Sequence, residues 1–245
     1  MSDKPRNLIC NGELEIIKIT DELYDDAVKL YSDNFLHQEN VCLATRMPIC
    51  KESLEQMQGA CRKLLKENIS FAVRNIANGE LAAVAINHLI CSQPETATFL
   101  DKTQKTVPPA MKCIREFLDR IEMSVDILKL WQIDCVFEIV FLSTSPKYAK
   151  RGLASSLSEY SIEYARRLKQ GTLPPEELPA AHLRELKPSA VCSIFTSIYT
   201  QRIGRKFNFE ILNELPYTDI TFEGHTFAER IDPLHKCSTF EALRL

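Results

Sequence analysis

Residues Phe137 to Leu157 read FEIVFLSTSPKYAKRGLASSL, and within them the pattern of the chain changes once. From Cys135 to Leu142 (CVFEIVFL) the residues are β-branched, aromatic and nearly all apolar, as in a strand buried on both faces. Ser143-Thr144-Ser145-Pro146 ends that run. From Lys150 to about Lys169 the period becomes that of an amphipathic helix, with Leu153, Leu157, Tyr160, Ile162 and Ala165 on or near one face. The turn between them carries Lys147, Lys150, Arg151 and Gly152. A helix N-terminus leaves backbone N–H groups unpaired and bears the positive end of the helix dipole, so this junction is suited to a phosphate. Gly152 lets the backbone approach such a group without a Cβ in the way, and the nearby cations add local attraction.

Outward from this centre the chain alternates strands and helices. Leu14 to Thr20 alternates apolar and charged residues like a half-buried strand, and Asp21 opens a helical spacing through Leu23, Ala27, Leu30, Tyr31 and Phe35. A second helix is predicted from Lys51 to Asn68. Ser70–Arg74 and Leu81–Ile90 read as a hairpin around a turn rich in Asn and Gly. Pro108 and Pro109 open a helix predicted to run from Met111 to Leu130. After the central segment come a proline-interrupted loop (Gly171–Pro188), a strand (Ala190–Phe195), a helix (Ile198–Lys206) and two or three strands from Phe209 onward. No linker poor in apolar residues divides this order, so one mixed α/β domain is expected over residues 1–245.

Composition excludes several classes. The 245 residues include 30 basic and 33 acidic side chains, a formal charge of −3, which gives no general attraction to nucleic acid or anionic lipid. Only seven glycines are present, and neither the dinucleotide fingerprint nor a P-loop fits their positions. Nine scattered cysteines contain no CxxC, and the five histidines never fall at HxxxH spacing, so no metal is expected. The first twenty residues have no apolar leader core, and no 18-residue apolar run follows. A cytoplasmic protein with free thiols is expected, without nucleic-acid or membrane partners and as a monomer.

The segment Ala149–Ala154 resembles motif A of the GCN5-related N-acetyltransferase (GNAT) superfamily, [QR]xxGx[GA], which cradles the pyrophosphate of acetyl-CoA. Ala149 stands where the family has Gln or Arg; Gly152 and Ala154 match. Two further stretches are similar to the insect arylalkylamine N-acetyltransferase-like branch. Phe35-Leu-His-Gln-Glu-Asn-Val41 resembles its FFxDEPL phrase, with Glu39 at the glutamate and Asn40 for Pro. Thr196 to Phe209 resembles TSxYSxxxxxKLGF, with Thr200 for Ser and Asn208 for Gly, and His235 echoes a histidine of the family's tail. The resemblance implies a mixed, mostly antiparallel sheet of seven strands flanked by helices. Its central strands splay apart where acetyl-CoA enters, and motif A covers about residues 135–170.

It also implies an activity: transfer of the acetyl group of acetyl-CoA to the primary amine of a small molecule, by direct attack in a ternary complex. Alkylamines have a pKa of roughly 10, so a base must take a proton. Glu39 matches the family's glutamate and is expected to serve, with Thr200 orienting the amine or protonating the leaving thiolate. Leu142, Ser143, Thr144, Lys150, Arg151, Gly152, Leu153, Ala154 and Ser155 are expected to hold acetyl-CoA, and Phe35, Asn40, Thr196, Tyr199 and His235 to line the acceptor site. Arylalkylamines such as dopamine, tyramine, octopamine or serotonin want aromatic walls, which Phe35, Phe195, Tyr199 and Tyr217 would supply. Polyamines or agmatine want carboxylates, for which Asp33, Glu39 and Glu214 are available. The losses at Ala149, Asn40 and Asn208 motivate an alternative, a diverged protein that binds CoA, or nothing, without catalysis. A third reading, acetylation of protein N-termini or lysines, would need an open acidic groove.

Overall fold

The structure is a computed structural model that describes residues 7–92 and 107–245; Met1–Arg6, part of the stretch read for a leader, lie outside the described residues. Two short strands open the chain, β1 (Asn7–Ile9) and β2 (Leu14–Lys18). Helix α1 (Tyr24–Leu30) follows and continues through a π-turn, Tyr31–Phe35, into α2 (Leu36–Gln38). Then come α3 (Asn40–Ala44), α4 (Lys51–Leu65) and the hairpin β3 (Phe71–Asn75) and β4 (Leu81–Cys91). Next are α5 (Pro109–Leu118), α6 (Ile127–Trp131), the central β5 (Cys135–Thr144) and α7 (Leu153–Gln170). The chain closes with β6 (Ala190–Phe195), α8 (Ile198–Lys206), β7 (Glu210–Pro216), a small ribbon of β8 (Thr221–Phe222) and β9 (His225–Thr226), and β10 (Cys237–Arg244).

Among the described residues the main sheet has eight strands, in the order β1-β2-β3-β4-β5-β6-β10-β7. It exceeds the expected seven by the three-residue edge strand β1, too short to show as a pattern in sequence. Every pairing is antiparallel except β5 with β6. That pair is joined at Val136–Ala190, Phe137–Val191 and Glu138–Cys192 alone, after which the strands part. The Ser193 hydroxyl donates to the Ile139 carbonyl at 2.7 Å as the last tie between them. The splay is therefore present, one residue past Glu138.

Both faces of the sheet are covered. On one, α1, α4 and α5 pack Val28, Tyr31, Leu64 and Ile114 against Val84, Ile86, Val136 and Phe240. On the other, α7 packs Leu153, Leu157, Tyr164, Ala165 and Leu168 against Phe71, Ala85, Phe137 and Val191. Two-sided burial is why β5 reads as a nearly continuous apolar run. The helix predicted from Met111 to Leu130 is broken instead: a π-turn at Asp119–Met123 interrupts it and Asp126 caps a new start by accepting from the Lys129 amide at 3.1 Å. Asn213 of β7 donates to the Arg120 and Ile121 carbonyls at 3.0 and 2.9 Å, which holds the interruption open. That partner lies 92 residues away in sequence, beyond the reach of any local pattern.

Helix α8 lies close to the sheet because of Gly204. A Cβ there would sit 2.7 Å from the Phe195 ring and 2.1 Å from Glu241 Oε2. Both neighbours are buried, Phe195 at 2% and Glu241 at 1% exposure, and Glu241 is further held by the Thr239 hydroxyl at 2.6 Å. Gly204→Ala is therefore expected to cost about 1–3 kcal/mol of overpacking, read as a lowered midpoint in urea or thermal unfolding; an unchanged midpoint would show that the helix shifts freely.

Candidate active site

The strand splay opens into two adjoining cavities that share Phe35, Glu39, Leu142, Thr196 and Thr200. The outer, about 300 Å³, is bounded by Asn34, Gln38, Asn40, Ser143, Thr144, Ser197, Tyr199 and His235 as well. The inner, about 100 Å³, runs between β5 and β6 and under α5, with walls that include Met57, Ile114, Phe117, Phe141 and Phe195 and with Glu138 at the closed end of the splay. The π-turn after α1 shapes the shared wall. It seats Phe35 in a three-ring cluster with Tyr31 (5.3 Å) and Phe141 (5.2 Å), tying the helix to β5. Single π-turns inside helices recur at functional sites because they re-aim one side chain.

Glu39 breaks the helix directly after this turn. Its backbone is extended (φ −71°, ψ 137°) and its carboxylate caps α3, accepting from the Val41 amide at 3.0 Å and the Cys42 amide at 2.8 Å. Thr200 is also a capping residue. It forms a reciprocal box with Ser197 at the start of α8: Ser197 Oγ accepts from the Thr200 amide at 3.2 Å, and Thr200 Oγ1 accepts from the Ser197 amide at 3.3 Å. Both side chains still border both cavities. Asn40 is buried and donates to the Thr196 carbonyl at 2.6 Å, an oxygen that the Tyr217 hydroxyl also reaches. Asn40, Thr196 and Tyr217 thus form a latch between α3, β6 and the chain after β7. His235 accepts through Nδ1 from the Ile198 amide at 3.2 Å, capping the first turn of α8, and meets Tyr199 edge-to-face at 5.5 Å. With Nδ1 accepting there, Nε2 is the ring nitrogen left to donate.

The expected cofactor loop is split. Gly152 takes the left-handed conformation (φ +75°) at the start of α7, with open space where a Cβ would be and no side chain capping the helix. The first-turn amides of Leu153, Ala154 and Ser155 have no partner within the helix. Lys150 is exposed, also with a positive φ of 61°. Lys206, which the sequence reading did not single out, reaches this turn from α8 and donates to Ser155 Oγ at 2.8 Å. Arg151 turns away: it makes a two-point pair with Glu13, 2.9 and 2.7 Å, which lowers the Glu13 carboxyl below its usual range. Leu142, Ser143 and Thr144 pair with β4 on one side only, since β6 has left the other. The buried Ser143 hydroxyl, on the outer cavity, has no hydrogen-bond partner among the described residues.

A buried acidic group behind the inner cavity was not anticipated. Glu138 is cross-strand neighbour to His88 on β4 and to Cys192 on β6. His88 Nδ1 is 2.6 Å from Glu67, whose second oxygen accepts from the Leu89 amide at 3.1 Å. Burial, with Glu122 and Glu67 adding repulsion, pushes the Glu138 carboxyl far above the usual carboxylate range. Burial also pushes Glu122 up to about 7, with His88 opposing. The signal was present, one acid in the otherwise apolar CVFEIVFL. By contrast Asp33 is exposed and paired with Lys29, and Glu214 is exposed on β7; neither borders the cavities.

Glu122 carries a pH signature. Its raised value means that the folded protein holds a proton between about pH 4.5 and 7 that the unfolded chain has released, so stability falls as pH rises through that window. Replacing Glu122 by Gln is expected to flatten that fall in urea midpoints measured from pH 4.5 to 7.5. A variant that kept the same slope would place the titration elsewhere.

No protein-family model matches the sequence, and no curated protein matches it. Solved structures match its fold. An arylalkylamine N-acetyltransferase 2 from Aedes aegypti superposes with a TM-score of 0.76 at 20% identity, covering 94% of this chain and 98% of that one. An agmatine N-acetyltransferase mutant in its apo form gives 0.74 at 16% identity, covering 95% and 100%. The Drosophila melanogaster polyamine N-acetyltransferase, which forms N-acetylagmatine, gives 0.68 at 15%, again covering 95% and 100%. The chain has the GNAT N-acetyltransferase fold, the one its central strand–turn–helix resembles.

Proposed function

We propose that this protein is an acetyl-CoA-dependent N-acetyltransferase whose acceptor is the primary amine of a small molecule. The observation that carries the reading is the splay between β5 and β6: it leaves the Leu142–Thr144 edge open to the cavity that Glu39 borders, on the strand that leads into the uncapped N-terminus of α7. Acetyl-CoA, when bound, supplies the acetyl group as a thioester. The free amides of Leu153, Ala154 and Ser155 with Gly152, Lys150 and Lys206 would hold its phosphates. Arg151 contributes only if Glu13 releases it. The unpaired edge of Leu142–Thr144 and the unsatisfied Ser143 hydroxyl would bind its amide arm and steady negative charge at the carbonyl oxygen.

Glu39 would receive the acceptor's ammonium. Each of its oxygens takes one backbone N–H, and a carboxylate has about four acceptor positions, so capacity remains toward the cavity. It would take one proton from that ammonium and free the nitrogen lone pair for attack. As the C–N bond forms and the C–S bond breaks, Thr200, held in place by Ser197, would pass its hydroxyl proton to the departing sulfur and take the nitrogen's second proton in its place. Asn40 shapes the site by holding the Thr196 carbonyl rather than by touching the amine.

A second reading, a CoA-binding protein without turnover, draws on specific contacts: the Arg151–Glu13 pair, the capping of α3 by Glu39 and the capping box that engages Thr200. Thermal unfolding with acetyl-CoA separates the two. Binding to the native state alone stabilises it by about 2.7 kcal/mol at a hundredfold excess over Kd, and Gly152→Asp, adding a Cβ and a negative charge at a positive φ, is expected to abolish that shift. A shift followed by thiol release on a panel of amines supports the enzyme; a shift without turnover selects the binding protein; no shift removes both.

Glu39→Ala is expected to lower kcat at neutral pH and regain part of it at high pH, where free amine is abundant. It should also lose about 0.5–2 kcal/mol of stability through the vacant cap. An unchanged pH–rate profile alongside that stability loss would leave Glu39 a capping residue only.

A further inference from the structure

Lys147, Lys150, Arg151 and Lys206 stand around the turn that opens α7, and carboxylates from neighbouring turns already hold two of them. Lys147 Nζ lies 2.5 Å from Glu80, whose same oxygen accepts from the Tyr148 hydroxyl at 3.0 Å and from Asn78 at 3.3 Å. Arg151 is held at two points by Glu13, and among the described residues no other side chain donates to the Glu13 carboxylate. Glu13 is presented by a strained loop. Cys10, Asn11 and Gly12, between β1 and β2, have φ of 51°, 57° and 86° in succession. Two of the three carry a Cβ, and such backbone persists only where its surroundings hold it. The Cys10 thiol supplies one tie, donating to the Arg151 carbonyl at 3.9 Å. One loop thus grips Arg151 twice, by its backbone and by its guanidinium.

We propose that Glu13 is a positioning residue that regulates cofactor binding: it holds Arg151 off the phosphate turn, and the diphosphate of the cofactor must displace it. The proposal rests on the acetyl-CoA reading above and concerns the regulation of that same site. The Glu13 and Arg151 side chains are 51% and 29% exposed, and an ion pair in such a setting adds little net stability. A diphosphate offers the guanidinium several charged oxygens in a matching fork, beside the uncapped amides of α7. Arg151 directly precedes Gly152, so its side chain stays at that turn whichever partner it takes. The exchange therefore favours the diphosphate. It also breaks the ion pair and leaves Glu13 facing a second anion, and both effects lower the net affinity. Glu80 is no equivalent competitor, because three donors fix it in place.

The probes are CoA and 3′-dephospho-CoA, which share the diphosphate and differ in the ribose phosphate. Their affinities are measured by calorimetry for the native protein, Glu13→Gln, Arg151→Gln and the double variant, each checked for folding by circular dichroism. Glu13→Gln is expected to bind both probes about fivefold more tightly, a gain that damage to the fold would not produce. The same change made in Arg151→Gln is expected to gain no more than about twofold, because only the repulsion is left to remove. Glu15→Gln, which takes away an equal charge two residues along, is expected to stay within about twofold of native. Unchanged or weaker binding in Glu13→Gln overturns the proposal and leaves the cofactor reading standing. An equal gain without Arg151, or from Glu15→Gln, also overturns it, since the effect would then be general charge. A gain confined to CoA does so too, by moving Arg151 to the ribose phosphate. Binding of neither probe by any variant at millimolar concentration removes this proposal and the cofactor reading together.

Discussion

Everything at the site follows from the end of pairing between two parallel strands. β5 and β6 share three residue pairs and then separate, with the Ser193 hydroxyl on the Ile139 carbonyl as the final link. A sheet that paired fully would have satisfied its own backbone and closed the space between. Because it does not, Leu142 to Thr144 keep one free edge and two cavities open on either side of Leu142. The surrounding helices compensate. α1 with its π-turn covers one wall through the Tyr31, Phe35 and Phe141 rings, and α8 covers the other, pressed in by Gly204.

The polar residues around that opening are mostly used twice. Glu39, Thr200 and His235 each satisfy an amide at a helix start while bordering the cavities. Helix starts supply unpaired N–H groups, so side chains that cap them are held in one geometry without spending flexibility on it. Two local caps and one from 37 residues away thus position three polar side chains at the opening. The buried Glu67–His88 pair and Glu138 form a second, drier layer across two sheet strands and the turn after α4, where burial rather than a partner sets the state of the Glu138 carboxyl.

Much of this was legible. β5, α7, β6 and α8 follow from apolar run, helical period and turn residues close to their observed bounds, because both faces of the sheet are covered and the patterns are uninterrupted. The free N-terminus of α7 with Gly152 was visible for the same local reason. The direction of Arg151 was not, since Glu13 lies 138 residues away. Neither was the break in the helix after Pro109, which depends on Asn213, nor the use of Asn40 as a latch on Thr196.

The sequence by itself determined the order of elements, the buried central strand and the phosphate-suited junction, all of which rest on contacts within one or two turns of chain. Tertiary structure alone decided which groups face the opening. It turned Arg151 away, brought Lys206 to the first turn of α7, and placed Glu138 at the end of an aromatic cavity. Those outcomes depend on pairing partners and packing distances between segments far apart in the chain, and no local spacing encodes them.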